Sequence, residues 1–551
     1  MRSGRVGLPK GGAFMWMWAG FAFFCLTAVF WLAAFALAEH RRMNSDYQTL
    51  TRYAAYIQFM QDKTELNRYG IAQQLKRGFG PLVAFSIPFN SMALIGGGAL
   101  LFAYVGFSGS GSLIVWIWPI LGICALAVHA VQAELMSSFP TAKGGAYAAT
   151  LLSGKSAGRM SALLQLGGQW TLVAYLNFEA SRWLGQAWAG WQGGSATTAA
   201  VTFFIVFLLL QTLACLGGNR WYASFQAGSA IVQLAACAVL LLVLAAALWP
   251  DFAYSSLAKG SSETISRVPV EEGWLVGLLL LWRLFVAGGS AESAAEETIE
   301  PRMRLPWGQF QAAAYVFTAG YLLLALTAMY GLAHPFSGHS AFLIESLSVV
   351  VRSRPAFAAA LTLLIVLSLF TAAMSILFAS TRLLGALARE SSLPTLEKLG
   401  RVQGKRRSFT GAACLAGLMP AVIAGVLLLM PVSWGSTAGL LLVLGLLLHH
   451  GGLLIPMTGL LRISRGAQSL EMYPLWPLGR ARQSICWIAV VFLLILSGFA
   501  VFYSPYGALT AAGWGTASYA LIYWRRYAAE DRKKNTTSRQ DLLQLERSHP
   551  Q

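Results

Sequence analysis

Charge is what this sequence has least of. Of 551 residues only 11% are charged, and acids are the scarcer sign, 22 Asp and Glu against 40 Lys and Arg. A soluble domain carries about 25% charge, so a water-facing globule is excluded. The six cysteines (Cys25, Cys124, Cys215, Cys237, Cys414, Cys486) all fall inside apolar windows, which leaves no disulfide framework. No HExxH or clustered His/Asp set occurs, so enzyme chemistry has no such constellation to rest on, and no metal or cofactor is expected. What the chain does have is apolar length. Hydrophobic residues make up 56%, in repeated windows of roughly 20, the length a membrane helix needs. The net charge of +18 is scattered over the loops between these windows. That distribution argues for a lipid bilayer and against nucleic acid as partner.

Twelve spans can be counted from residue 82, at about 82–107, 113–137, 158–181, 199–217, 222–249, 274–285 with its continuation, 309–333, 356–383, 410–430, 437–461, 484–503 and 507–524. With the N-terminus inside, the inner loops hold Lys143, Lys155, Arg159, Arg220, Arg302, Arg304, seven basic residues from Arg382 to Arg407, and Arg462, Arg465, Arg480 and Arg482. Outer loops hold only Arg182, Lys259, Arg267, Arg352 and Arg354. Such asymmetry sets orientation, and it places both termini of the core in the cytoplasm, with the plasma membrane the expected location. Residues 14–38 form an additional apolar run that fits neither a signal peptide nor a thirteenth span, because basic residues flank it on both sides. Residues 1–42 are therefore expected to be dispensable, with Met43 an alternative start. Asn535-Thr536-Thr537 matches a glycosylation acceptor by chance in an inner tail, and Asp541-Leu542-Leu543 is a weak sorting triplet. The segment at 334–355 is expected to be exposed.

Two spans carry glycine runs at mid-depth, Gly96-Gly97-Gly98 and Gly288-Gly289. Adjacent glycines weaken a helix by about 1 kcal/mol each relative to alanine. They serve either to break the helix or to let a neighbour pack closely. Their recurrence in the first spans of two five-span units favours breaks, because an odd repeat enters the membrane inverted and paired interrupted helices mark a binding site. After the second break a short helix carrying Glu292, Glu296 and Glu297 is expected to close at Pro301 and Pro306. The expected organisation is 43–81 as a cytoplasmic N-terminal region, 82–249 and 273–461 as the two repeats, 462–524 as two added spans, and 525–551 as a tail.

Several loop motifs then carry a family resemblance. FPTAKGGAY after the second span, EETIEPRMRLP after the sixth and ASTRLLGALARESSLP after the eighth resemble the amino acid–polyamine–organocation superfamily, nearest its amino acid/choline transporter branch. ELNRYGIAQQLKRGFGPLVAFSI and YPLWPLGRARQS fit the same branch, so the resemblance covers about residues 65–527. It implies an all-α, leucine-transporter-type fold of five plus five inverted spans with two more added, and secondary, ion-coupled uptake of an amino acid or a choline-like or polyamine-like amine. A non-transporting receptor on the same fold is the rival reading. By resemblance the substrate lies between Ser91, Met92, Ala93, Leu94, Ile95, Gly96, Gly97 and Gly98 of the first break and Phe285, Val286, Ala287, Gly288, Gly289 and Ser290 of the second. Relatives often carry Gly-Tyr-Asp where this chain has Ala287-Gly288-Gly289, so the acidic partner for an amine is missing there, and Glu292 is the nearest replacement.

Remaining polar residues divide between function and support. Arg283, at depth, either recognises an anionic group or pairs with Glu292 and braces the break. Gln233 stands where some proton-coupled relatives have lysine. Ser368, Thr371 and Ser375 share one helical face, so coupling to H+ or to Na+ fits. His449 and His450 are candidates for a proton relay, though a membrane histidine more often bonds a neighbour. His129 is a weaker candidate. Glu134 and the Pro140–Tyr147 loop are expected to be structural or gating elements.

Overall fold

The computed structural model describes residues 51–250, 252, 257, 270–333, 355–389, 398–402, 407–429, 434–463 and 474–529. The expectations for residues 1–42, the Asn535 triplet, the Asp541 triplet and nearly all of 334–355 lie outside the described residues. In chain order the helices are α1 Thr51–Arg68, α2 Pro81–Met92, α3 Leu94–Ser112, α4 Trp118–Ser138, α5 Gly145–Ser153, α6 Lys155–Gln192, α7 Ala196–Leu216, α8 Asn219–Leu248, α9 Val270–Arg283, α10 Ser290–Ser293, α11 Pro301–Ala333, α12 Pro355–Arg389, α13 Thr410–Leu428, α14 Trp434–Ile463, α15 Arg482–Tyr503 and α16 Pro505–Ala529.

Nine helical stretches among the described residues are long and apolar enough to cross a membrane. The other three expected spans are α6, α9 and α16. α6 is polar for a reason: it runs 38 residues against α14, α12 and α7, and its Gln165, Gln169, Asn177 and Glu179 are buried. α9 is short because a break follows it. Outward faces are apolar instead, with Leu209, Leu213, Trp221 and Leu242 exposed on α7 and α8. Lipid can solvate those side chains but not backbone, so irregular chain belongs inside the bundle.

Both expected interruptions are present, in the first spans of the two five-helix units. The second lies where the sequence put it, with Gly288 at φ 60° and Gly289 at φ 72°. The first does not. The left-handed residue is Ala93, at φ 53° and ψ 52°, and Gly96, Gly97 and Gly98 sit inside α3. A Cβ on Gly96 would come within 2.7 Å of Leu369 and one on Gly98 within 2.9 Å of Leu324, while Gly97 lies against Leu284. These three glycines bring helices together rather than turn the chain. A second correction concerns the acidic stretch. Only Ser290–Ser293 is helical, Glu296 and Glu297 lie in the turn beyond it, and Pro301 opens α11 while Pro306 sits within it. Proline tolerates the first turn of a helix because its missing N–H has no partner there.

Candidate functional site

The two breaks meet at Ser91, Arg283 and Ser290. Arg283 donates from Nη2 to the carbonyl of Ser91 (3.1 Å) and from Nη1 to that of Val286 (3.1 Å). The Ser290 hydroxyl donates to Ser91 Oγ (3.2 Å), which in turn donates to the Pro88 carbonyl (2.6 Å). Other backbone groups freed by the breaks also find side chains. Gln169 donates to the Gly288 carbonyl (2.9 Å), and Ser368 Oγ accepts from the N–H of Gly96 (3.2 Å). Gln309 donates to Nδ1 of His129 (3.0 Å), which fixes the tautomer whose Nε2–H donates to the Phe285 carbonyl (2.9 Å). Buried backbone polar groups demand partners, and here the spans around the breaks supply them. Every residue from Ser91 to Gly98 and from Phe285 to Ser290 is buried.

Four buried atoms on this ring of residues have no protein partner: Arg283 Nε, the Tyr175 hydroxyl, His449 Nδ1 and Gln169 Oε1. Tyr175 and His449 lie within electrostatic reach of the Arg283 guanidinium. Buried polar atoms are seldom left without partners, and their gathering here marks the cluster as the candidate site.

The expected Arg283–Glu292 pair is absent. Glu292 accepts from the backbone N–H of Gly145 (2.7 Å), the first residue of α5. Two residues separate Glu292 from Ser290 on a helical turn, so the two side chains leave it in nearly opposite directions. Arg283 does brace the break, through carbonyls rather than a carboxylate.

The candidates for ion coupling split into connected and local groups. Gln233 donates to Asn90 Oδ1 (3.0 Å) and Thr371 Oγ1 (3.3 Å), joining α2, α8 and α12. Asn90 donates onward to Ser229 Oγ (2.8 Å) and to Gln226. Ser375 donates within its own helix, to the Thr371 carbonyl (2.9 Å). Both nitrogens of His450 are occupied, by Trp282 Nε1–H (2.7 Å) and Ser497 Oγ (3.0 Å), so it ties α14 to α9 and α15. Sequence reasoning missed Asn90, Gln169 and Gln309, and ranked His129 low. The signal for Asn90 was a polar residue in an apolar span, one place before the break.

The loop motifs gather at one end of the bundle. Glu297 pairs with Arg382 (2.9 Å), Glu296 with Arg389 (2.6 Å) and Glu134 with Arg482 (2.8 Å). Arg302 reaches Glu65 (3.0 Å) and the Ser137 carbonyl (2.9 Å). Backbone joins them too: the N–H groups of Gly78 and Phe79 donate to the Glu297 carbonyl, and Ile299 N–H donates to the Phe79 carbonyl. At the other end Tyr104 donates to Glu179 (2.6 Å), which pairs with Arg182 (2.9 Å). At this second end the charge pair lies within α6, and the Tyr104 bond crosses to α3.

A many-helix bundle with apolar flanks and two broken helices meeting at a buried polar centre is the architecture of a membrane transporter rather than an enzyme. Residues 79–524 match the family described as amino acid permease, and the chain belongs to that family. An uncharacterized amino-acid permease of Schizosaccharomyces pombe is 34% identical over 104 residues, which is 19% of this chain and 19% of the relative. A second from the same organism is 30% identical over 99 residues, 18% of each. The matched stretches thus span about a fifth of the length of these curated relatives. Among solved structures, a mutant of the Eremococcus coleocola manganese transporter is similar at a TM-score of 0.49 and 14% identity, over 86% of this chain and 99% of that one.

Proposed function

We propose that this permease is a secondary active transporter that moves an amino acid across the cell membrane by alternating access, driven by a coupling ion, H+ or Na+. The observation that carries the reading is Arg283, which holds both breaks together and still has Nε–H free of any protein partner. A carboxylate is the group that a guanidinium edge binds best. The second lone pairs of the Ser91 and Phe285 carbonyls are suited to the ammonium end. Choline-like and polyamine-like cations lack the carboxylate, and no acid stands at Ala287-Gly288-Gly289 to receive a lone cation. The two five-helix units, 82–249 and 273–461, each bring one broken helix to this point, with 462–524 outside the repeat. The paired-charge end, rich in arginine, faces the cytoplasm, as do the termini of the core.

The experiment is uptake of radiolabelled amino acids, choline and putrescine by cells that lack their own carriers and express the full chain. Amino acids are expected to accumulate, while choline and putrescine are not. Binding without accumulation would make the protein a receptor and overturn the transport reading.

A further inference from the structure

Six acidic residues are buried among the described residues: Asp62, Glu134, Glu179, Glu292, Glu296 and Glu297. Five of them face an arginine, namely Arg77, Arg482, Arg182, Arg389 and Arg382 in that order. Glu292 has none. Its single partner is the Gly145 N–H. α10 packs against α12, α2 and α11, and the titratable groups on those elements are engaged elsewhere. Arg382 and Arg389 of α12 hold Glu297 and Glu296, Arg302 and Arg304 of α11 hold Glu65 and Glu300, and α2 has no titratable residue. Lys143, just before α5, and Tyr147, on α5, are engaged with other groups.

We propose that Glu292 carries the coupling proton of the transport cycle. This rests on the transport reading and adds the ion and its carrier. A buried carboxylate needs a counter-charge, and where the fold supplies no fixed one, a proton is the charge that can come and go. Position supports the role. Glu292 lies two residues beyond Ser290, where the breaks meet, and four residues before Glu296, where the charged closure begins. The loop reads its state directly: Gly144, at φ 47°, is pressed so closely on the Glu292 carboxyl that a Cβ has no room. Ionised, the carboxylate attracts the Gly145 N–H and holds the loop, and protonated, it accepts more weakly and releases it. Over a cycle one O–H bond forms on the carboxyl from the outer water and breaks to the inner water, with no change of oxidation state. The Gln233–Asn90–Thr371 network contains only amides and hydroxyls, so it has no group to take this proton.

The test uses the full chain in liposomes, with a radiolabelled mixture of the proteinogenic amino acids as probe. Two modes are measured: exchange at equal pH, and accumulation driven by an acid outside. In the unmodified protein, accumulation is expected to follow the pH gradient, to collapse with a protonophore and to persist when Na+ is replaced. Glu292→Gln is expected to keep exchange and to lose gradient-driven accumulation by about tenfold or more. Glu292→Asp, which keeps the acid, is expected to retain both. Accumulation by the unmodified protein that follows Na+, or that survives in Glu292→Gln, overturns the proposal. So does loss of both modes in both variants, which would make Glu292 a structural or substrate-binding residue. Absence of any exchange in the unmodified protein would instead sink the transport reading.

Discussion

Arg283 and Ser91 are 192 residues apart in the chain, and the guanidinium of one donates to the backbone carbonyl of the other at 3.1 Å. The bond joins the two helices at the points where each gives up its regular ladder. Nη1 takes the Val286 carbonyl on the same side chain's own break, so one planar group fixes both ends of the gap.

Replacement of Arg283 therefore tests geometry as well as charge. Arg283→Met leaves two buried carbonyls without a donor, each costing about 1–3 kcal/mol. Arg283→Lys keeps the charge but has no fork to span both carbonyls. Uptake is expected to fall by about tenfold or more in both, since 1.4 kcal/mol is a factor of ten. Lysine restoring uptake to the unmodified level would show that charge alone matters. Cell-surface protein and initial uptake rates, measured side by side, decide it.

The two glycine runs are expected to fail in different ways. Gly97 lies against the Leu284 side chain, so Gly97→Val forces α3 and α9 apart and should deplete folded protein at the membrane. Gly289, at φ 72°, has a backbone that a side chain opposes by roughly 1–2 kcal/mol. Gly289→Ala should reach the membrane and transport poorly. Surface labelling beside uptake separates the two outcomes, and equal loss of protein in both would remove the distinction.

Gln233 joins three helices through one amide. Gln233→Leu strands Asn90 Oδ1 and frees Thr371, an unsatisfied buried group costing about 1–3 kcal/mol. The expected result is slower uptake with a lowered melting temperature of the detergent-purified protein. Unchanged values of both would mean that the network is not needed to hold α2 against α12.

Asp62, on α1 ahead of the spans, gives a pH dependence with a definite sign. Burial, partly offset by Arg77, holds its carboxyl above the ordinary 3.8. A raised acid contributes stability that is present below 3.8 and is lost as pH climbs through the folded-state value. Asp62→Asn is neutral throughout, so the docking of α1 should lose this pH dependence and be no weaker at pH 7. Limited proteolysis across α1 at pH 5 and pH 7 measures it, and faster cleavage of the variant at pH 7 would show that the Arg77 attraction outweighs burial.

Helix number and the second break were legible because long apolar windows and paired glycines have few other uses. The first break was misplaced because two different demands select small residues. Gly96-Gly97-Gly98 answers close packing, while the left-handed turn fell to Ala93, a residue with no mark in the sequence. The Arg283–Glu292 couple failed for a related reason. Nine residues apart, they seem neighbours along the chain, but the break between them resets the helical phase, and only coordinates show that Glu292 turns to Gly145. The ionic closures were legible as motifs but not as pairs, since Glu297 and Arg382 meet across 85 residues.

The parallel bridge between Phe79 and Thr298 has a mechanical meaning. With the Gly78, Phe79 and Ile299 bonds beside it, it stitches the entry of the first broken span to the exit of the sixth. Separating them would rupture three backbone bonds in one movement, whereas swinging them as a single lever ruptures none. A movement that opens that end is therefore expected to carry both broken helices together.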